Sequence, residues 1–184
     1  GPDAVTTVLR ELPRPLGIPI LVVQHMPAFF TPMFAQRLGS ACGLPVCEVV
    51  EGAVLEPRTI VVAPSDHHTL IERGPGKRLR LRLERSPPVN FCRPSADVLF
   101  GSAARVLGGN VLAVVLTGLG QDGKVGAGQI IHAGGTVLAQ DEASSVVWGM
   151  PGAVVRAGFA TRVVPLDQMA AAISQRVARV GAAC

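Results

Sequence analysis

Apolar positions along this chain follow two alternating rhythms, short unbroken runs and longer stretches at helical spacing. The run at 18–24 (Ile-Pro-Ile-Leu-Val-Val-Gln) is apolar on both faces, the signature of a strand buried in a parallel sheet. Runs at 46–50, 59–63, 111–117, 136–140 and 160–164 read the same way. Helical spacing fills the intervals, at 4–11, 31–40, 96–107, 125–133, 150–156 and 166–180. The boundary residues agree with this division. Thr31-Pro32 offers an N-cap followed by proline in the first turn, Ser95 is placed to cap the helix at 96, and Gly108-Gly109 ends it. Strand–helix alternation with doubly apolar strands predicts an α/β fold. Its expected form is a doubly wound, mostly parallel sheet with helices on both faces, three layers in all.

One segment departs from the alternation. Residues 69–73 and 79–85 flank Gly74-Pro75-Gly76-Lys77, which predicts a β-hairpin. In Leu79-Arg80-Leu81-Arg82-Leu83 the leucines share one face and the arginines the other. The arginine face reads either as a docking surface for an acidic partner or as charge that protects a sheet edge from association. No repeat, low-complexity tract or linker divides the chain, so residues 1–184 read as one domain.

Composition narrows the function classes. Hydrophobic residues are 48% of the 184 and charged residues 16%, which excludes a disordered tail or a charged coiled coil. The net charge of +4 is mild, and no basic block is interleaved with aromatics, so nucleic acid is not an expected partner. No apolar run is long enough for a transmembrane helix and no signal peptide opens the chain, so a cytoplasmic protein is expected. Cys42, Cys47, Cys92 and Cys184 form no Cys-x-x-Cys pair and read as reduced thiols.

Candidate chemistry lies just after the strands, because open α/β sheets bind ligands beyond their carboxyl ends. Gln24-His25-Met26-Pro27 follows the first strand, where His25 is either a base or a histidine bonded to a nearby carbonyl. Pro64-Ser65-Asp66-His67-His68 follows another; adjacency along a loop is not triad geometry, and no second ligand pair completes a metal site. Thr117-Gly118-Leu119-Gly120-Gln121-Asp122-Gly123 follows the strand at 111–117. Its glycines let the backbone turn and present amides at a helix start, suited to an oxyanion or a phosphate. The spacing Gly118-x-Gly120-x-x-Gly123 formally matches a dinucleotide fingerprint, but deep in the chain that match is weak. An aspartate facing a histidine from another strand end makes His25 and Asp122 a candidate base and orienter. A nucleophile is missing from the set.

Five segments together resemble the catalytic domain of the chemotaxis receptor methylesterase family, CheB. They are Val22-Val23-Gln24-His25-Met26-Pro27, Val62-Ala63-Pro64-Ser65-Asp66-His67-His68, Arg93-Pro94-Ser95-Ala96-Asp97-Val98-Leu99-Phe100, residues 116–123, and Trp148-Gly149-Met150-Pro151. They occur in family order across nearly the whole chain. The resemblance implies a doubly wound parallel sheet and hydrolysis of glutamate methyl esters on chemoreceptor helices. Many members also deamidate receptor glutamines. It also implies a Ser-His-Asp mechanism with no cofactor and no metal.

By position, His25 matches the family's base, Asp122 its orienting aspartate, and the backbone at Gly118-Leu119 its oxyanion turn, with Leu119 where the family usually has methionine. The family serine lies in a Ser-Thr-Gly-Gly-Pro motif whose end aligns with Gly1-Pro2. The expectation is therefore that the first strand and serine turn lie upstream of Gly1 and are absent here, leaving this chain inactive alone. The alternative is a serine-less, non-catalytic module of the same fold that binds receptors or another partner. Many members carry a receiver domain ahead of the catalytic one; this chain contains none.

Overall fold

The computed structural model describes residues 1–13 and 16–181; Cys184, read above as a reduced thiol, lies outside them. In chain order the elements are α1 (Pro2–Glu11), β1 (Ile20–Val22), α2 (Thr31–Cys42), β2 (Val46–Glu48) and β3 (Ile60–Val62). The hairpin β4 (His68–Arg73) and β5 (Leu79–Glu84) follows, then α3 (Ala96–Leu107), β6 (Leu112–Val115), α4 (Lys124–His132) and β7 (Thr136–Gln140). The chain continues through α5 (Met150–Arg156), β8 (Arg162–Val164) and α6 (Leu166–Gly181). Strands 136–140 and helix 150–156 match their expected bounds, whereas most other strands are shorter. Residues 18–24 contribute only Ile20–Val22, because an apolar run continues past the point where backbone partners end.

Among the named strands, all pairing outside the hairpin is parallel. β3 lies between β1 and β2, with Ile20 and Val46 both opposite Ile60. β7 lies between β6 and β8, with Leu138 opposite Val114 and Arg162. Among the described residues these two three-stranded sheets are not hydrogen-bonded to each other; they are joined by a common core.

Strand alternation sends side chains to two faces and so makes the layers. Val22, Ile60, Val62 and Leu138 pack with Val8 of α1, Phe34 and Leu38 of α2, and Met169 and Ile173 of α6. On the opposite face Val61 meets Ile71 and Leu81 of the hairpin and Leu99 of α3. Ala113, Val115 and Val137 meet Ala104 of α3, Ala127 and Ile130 of α4, and Val154 of α5. Every residue of β7 is buried, as a strand covered on both faces requires. The hairpin's Leu81 is buried and Arg82 exposed, confirming the expected two-faced pattern.

Two details position the loops at the sheet ends. α3 and α4 are in close contact because residue 126 is glycine: a Cβ there would lie 2.5 Å from Cβ of Phe100 and 3.1 Å from the Asp97 carbonyl. Gly123 begins α4 at φ 89°, a left-handed conformation that glycine adopts without a steric penalty. Among the described residues no helix is long and apolar enough to cross a membrane.

Candidate active site

His25, Ser65 and Asp122 lie just beyond β1, β3 and β6, and the loops that follow these strands meet at one site. Nε2 of His25 is 2.7 Å from Oδ2 of Asp122, although 97 residues separate them. Asp122 is 1% exposed and the His25 side chain 27% exposed, so the carboxylate is enclosed and the ring is reachable.

The start of α3 encloses the carboxylate. Oδ2 also accepts the Ala96 amide at 2.7 Å, while Oδ1 accepts Ser95 Oγ at 2.6 Å, the Asp97 amide at 3.2 Å and its neighbour Gly123's amide at 3.0 Å. Asp122 therefore fills the vacant donors of a helix it does not belong to, where the helix dipole also favours negative charge. Ser95 begins α3 as its position predicts, but its hydroxyl makes no cap bond to its own helix and is directed to Asp122 instead.

Burial alone would push the Asp122 carboxyl up. The bonds from His25, Ser95 and the Ala96 and Asp97 amides outweigh burial and hold it at about 2. An ionised carboxylate only accepts hydrogen bonds, so Nε2 of His25 is the donor. In the neutral ring, Nδ1 then keeps the lone pair.

A second buried carboxylate adjoins the first. Asp97 accepts the Gly126 amide at 2.7 Å, in the first turn of α4, and Nδ2 of Asn90 at 2.7 Å. The same Asn90 nitrogen lies 3.4 Å from Oδ1 of Asp122. Burial, the charge of Asp122 acting with it, pushes Asp97 up against its hydrogen bonds. Asn90 and Phe91 have φ of 51° and 62° in a tight turn closed by paired backbone bonds between Val89 and Cys92. That turn brings Cys92 next to the dyad.

The glycine turn is held by the Trp148–Pro151 motif. The Gly118 amide donates to the Val147 carbonyl at 3.0 Å, and the Met150 amide donates to the Gly118 carbonyl at 2.8 Å. Gly149 fits because a Cβ there would lie 2.6 Å from the Gly118 carbonyl oxygen. The Trp148 indole N–H donates to the Gln140 carbonyl at 3.0 Å, tying this clamp to the end of β7. The Gly118 N–H is thus committed to the Val147 carbonyl, while Leu119 beside it is exposed. The Gly1 nitrogen lies 3.3 Å from the Thr117 carbonyl oxygen, so α1 begins against this same turn.

The other sequence candidates have structural partners. Ser65 Oγ donates to the Met26 carbonyl at 2.9 Å and bonds Thr31 Oγ1 at 2.7 Å, fixing the loop that carries His25. Asp66 pairs with Arg85 and Arg93, which hold its carboxyl below the usual range. His68 is fully buried, accepting the Ser95 amide at Nδ1 and donating from Nε2 to the Pro87 carbonyl at 3.1 Å. Asn90, Cys92 and Asp97 carried no role in the sequence reading. The Pro-Ser-Ala-Asp run was visible, but nothing in its spacing shows that it encloses a residue 25 positions away.

Comparison with known proteins places the chain in a family. A protein-family model described as CheB methylesterase matches residues 1–173. A Nocardioides protein named protein-glutamate methylesterase/protein-glutamine glutaminase is 50% identical over 179 residues, covering 97% of this chain and 48% of that protein. A Trichodesmium erythraeum protein of the same name is 45% identical over 177 residues, covering 96% of this chain and 50% of that protein. The chain thus spans about half the length of these curated relatives. The crystal structure of the Thermotoga maritima CheB methylesterase catalytic domain superposes with a TM-score of 0.89 at 34% identity, covering 98% of this chain and 93% of that one. The motifs, the parallel α/β fold and these matches converge: the chain belongs to the CheB methylesterase family.

Proposed function

We propose that the protein containing this chain hydrolyses glutamate methyl esters on the cytoplasmic helices of chemoreceptors and deamidates receptor glutamines. The observation that carries the reading is the 2.7 Å contact between His25 and an Asp122 carboxylate kept ionised by buried donors. A base oriented this way needs a nucleophile, and the family motif assigns that role to a serine preceding Gly1. The 3.3 Å approach of the Gly1 nitrogen to the Thr117 carbonyl supports this reading, since the chain before Gly1 then starts next to the glycine turn. The roughly twofold greater length of the relatives leaves room for a receiver domain in the natural protein.

In this mechanism the serine attacks the ester carbonyl while Nδ1 of His25 takes its proton. Asp122 stabilises the resulting imidazolium through Nε2. The Leu119 amide donates to the developing oxyanion, and Gly118 contributes the shape of the turn rather than its own N–H. His25 then protonates the leaving methanol, or ammonia from a glutamine, and activates the water that releases the glutamate.

The test is methanol release from methylated receptor by the full natural protein and its His25→Ala variant. A loss of roughly 10⁴–10⁶ in turnover with an unchanged circular dichroism spectrum is expected. Undiminished turnover in the variant overturns the assignment.

A further inference from the structure

We propose that Cys92, His25 and Asp122 form a binding site for a divalent cation of the zinc class. A ring nitrogen of His25, the Cys92 sulfur and a carboxylate oxygen of Asp122 lie within 4.8 Å of one another. They come from three separate segments, the ends of β1 and β6 and the turn before α3, so the donors converge from different directions. One sulfur, one nitrogen and one oxygen donor is a set that zinc accepts with tetrahedral geometry, leaving a fourth position for water. Thiolate ligation disfavours magnesium and calcium, which prefer oxygen.

The surroundings hold the donors in place. Cys92 Sγ donates to the Asn90 carbonyl at 3.3 Å, and the Asn90 side chain spans to both buried carboxylates. Such outer contacts orient metal ligands. Asp97 adds a second negative charge one contact beyond Asp122, a field that attracts a cation. A sulfur ligand binds as the thiolate, so ligation requires Cys92 to give up its proton. The cation therefore displaces one proton: the S–H bond breaks, a metal–sulfur bond forms and the proton leaves to solvent, with no change of oxidation state. A ligating nitrogen carries no proton, so an ion at Nε2 would displace the hydrogen bond to Asp122 and leave the ring proton on Nδ1. An ion here occupies a ring nitrogen of the base, and loss of hydrolysis on metal binding rests on the function proposed above. The binding does not.

The experiment uses the chain itself, reduced and stripped with chelator, titrated with Zn²⁺ by calorimetry and with Co²⁺ by absorption spectroscopy. One Zn²⁺ per chain, one proton released per ion in buffers of differing ionisation heat, and a thiolate-to-cobalt charge-transfer band are expected. Cys92→Ser should abolish the band and, like His25→Gln, weaken Zn²⁺ by at least roughly 100-fold. Cys47→Ser, at an exposed thiol away from the site, should change neither, and Mg²⁺ should not compete. Absence of the charge-transfer band, or Zn²⁺ affinity retained in either Cys92→Ser or His25→Gln, overturns the site. Binding that follows the expected pattern in this chain, together with a full natural protein that lacks esterase activity, would sink the proposed function and leave the metal site standing.

Discussion

Two buried aspartates lie at two helix starts, and their environments drive them in opposite directions. Asp122, at the start of α3, is held at about 2, whereas Asp97, at the start of α4, is pushed up. Both are nearly inaccessible, so burial alone does not separate them. Donor number does. Asp122 collects His25, a hydroxyl and several amides, while Asp97 has fewer donors and the like charge of Asp122 beside it. A buried carboxylate is as acidic as the number of hydrogens pointed at it allows. Each aspartate also ties its helix to the other, so the charge that orients His25 is built into the α3–α4 contact.

The largest break in this comparison comes from Asp122→Asn. An amide presents N–H groups to donors that need an acceptor, and the variant should lose about 3 kcal/mol in urea unfolding at pH 7. A loss below about 1 kcal/mol would show that the donor cage contributes little to folding. The pH dependence of the wild type sharpens the same point. Asp122 has a folded value below its unfolded one, so its contribution is full above about pH 4 and lost as pH falls toward 2. The shift corresponds to about 2 kcal/mol. Asp97 has the opposite sign: its penalty is fully present at neutral pH and is relieved as pH falls through its raised folded value toward its unfolded one. Urea midpoints between pH 7 and pH 2 should therefore hold or rise before dropping, and in Asp122→Asn the final drop should shrink.

Ser95→Ala removes one donor from Asp122 and leaves the rest, with an expected cost of about 1–2 kcal/mol and a raised Asp122 value, readable by carboxyl carbon NMR. Restoration by threonine would separate the hydroxyl from mere volume. The smallest effect should come from Asp97→Asn, which keeps an acceptor for the Gly126 amide and removes the like charge beside Asp122. Stability at pH 7 should stay within about 1 kcal/mol of wild type, on the favourable side if the charge is the dominant cost. A large loss there would mean that the two carboxylates are equivalent after all.

Much of the site was legible because its residues stand at strand ends in recognisable runs. His25 and Asp122, which the structure brings together, could be named from the chain, Gly118 and Leu119 stand as the proposed oxyanion turn, and the strand at 136–140 had its bounds. The roles of Asn90, Cys92 and Asp97 could not, because each depends on the 90–97 segment passing over the end of β6. Ser95 shows the limit most clearly. Its backbone begins α3 as expected, yet its side chain serves a residue 27 positions on. Local rules describe the helix start, while the target of the hydroxyl is decided by tertiary packing. The strand at 18–24 was overread for a related reason: hydrophobicity reports burial, whereas pairing needs a neighbour with free backbone groups.

The clamp on the glycine turn has one more consequence. Trp148, at its centre, is the sole tryptophan in the sequence; its indole N–H is bonded to Gln140, and the Arg156 guanidinium lies 5.4 Å from the ring centre. Tryptophan emission from this chain therefore reports on a single locality, the support of the turn that carries Leu119. Displacement of that turn by an ion, an inhibitor or a docking helix is observable as a spectral shift from the native chain, without a dye or an engineered label.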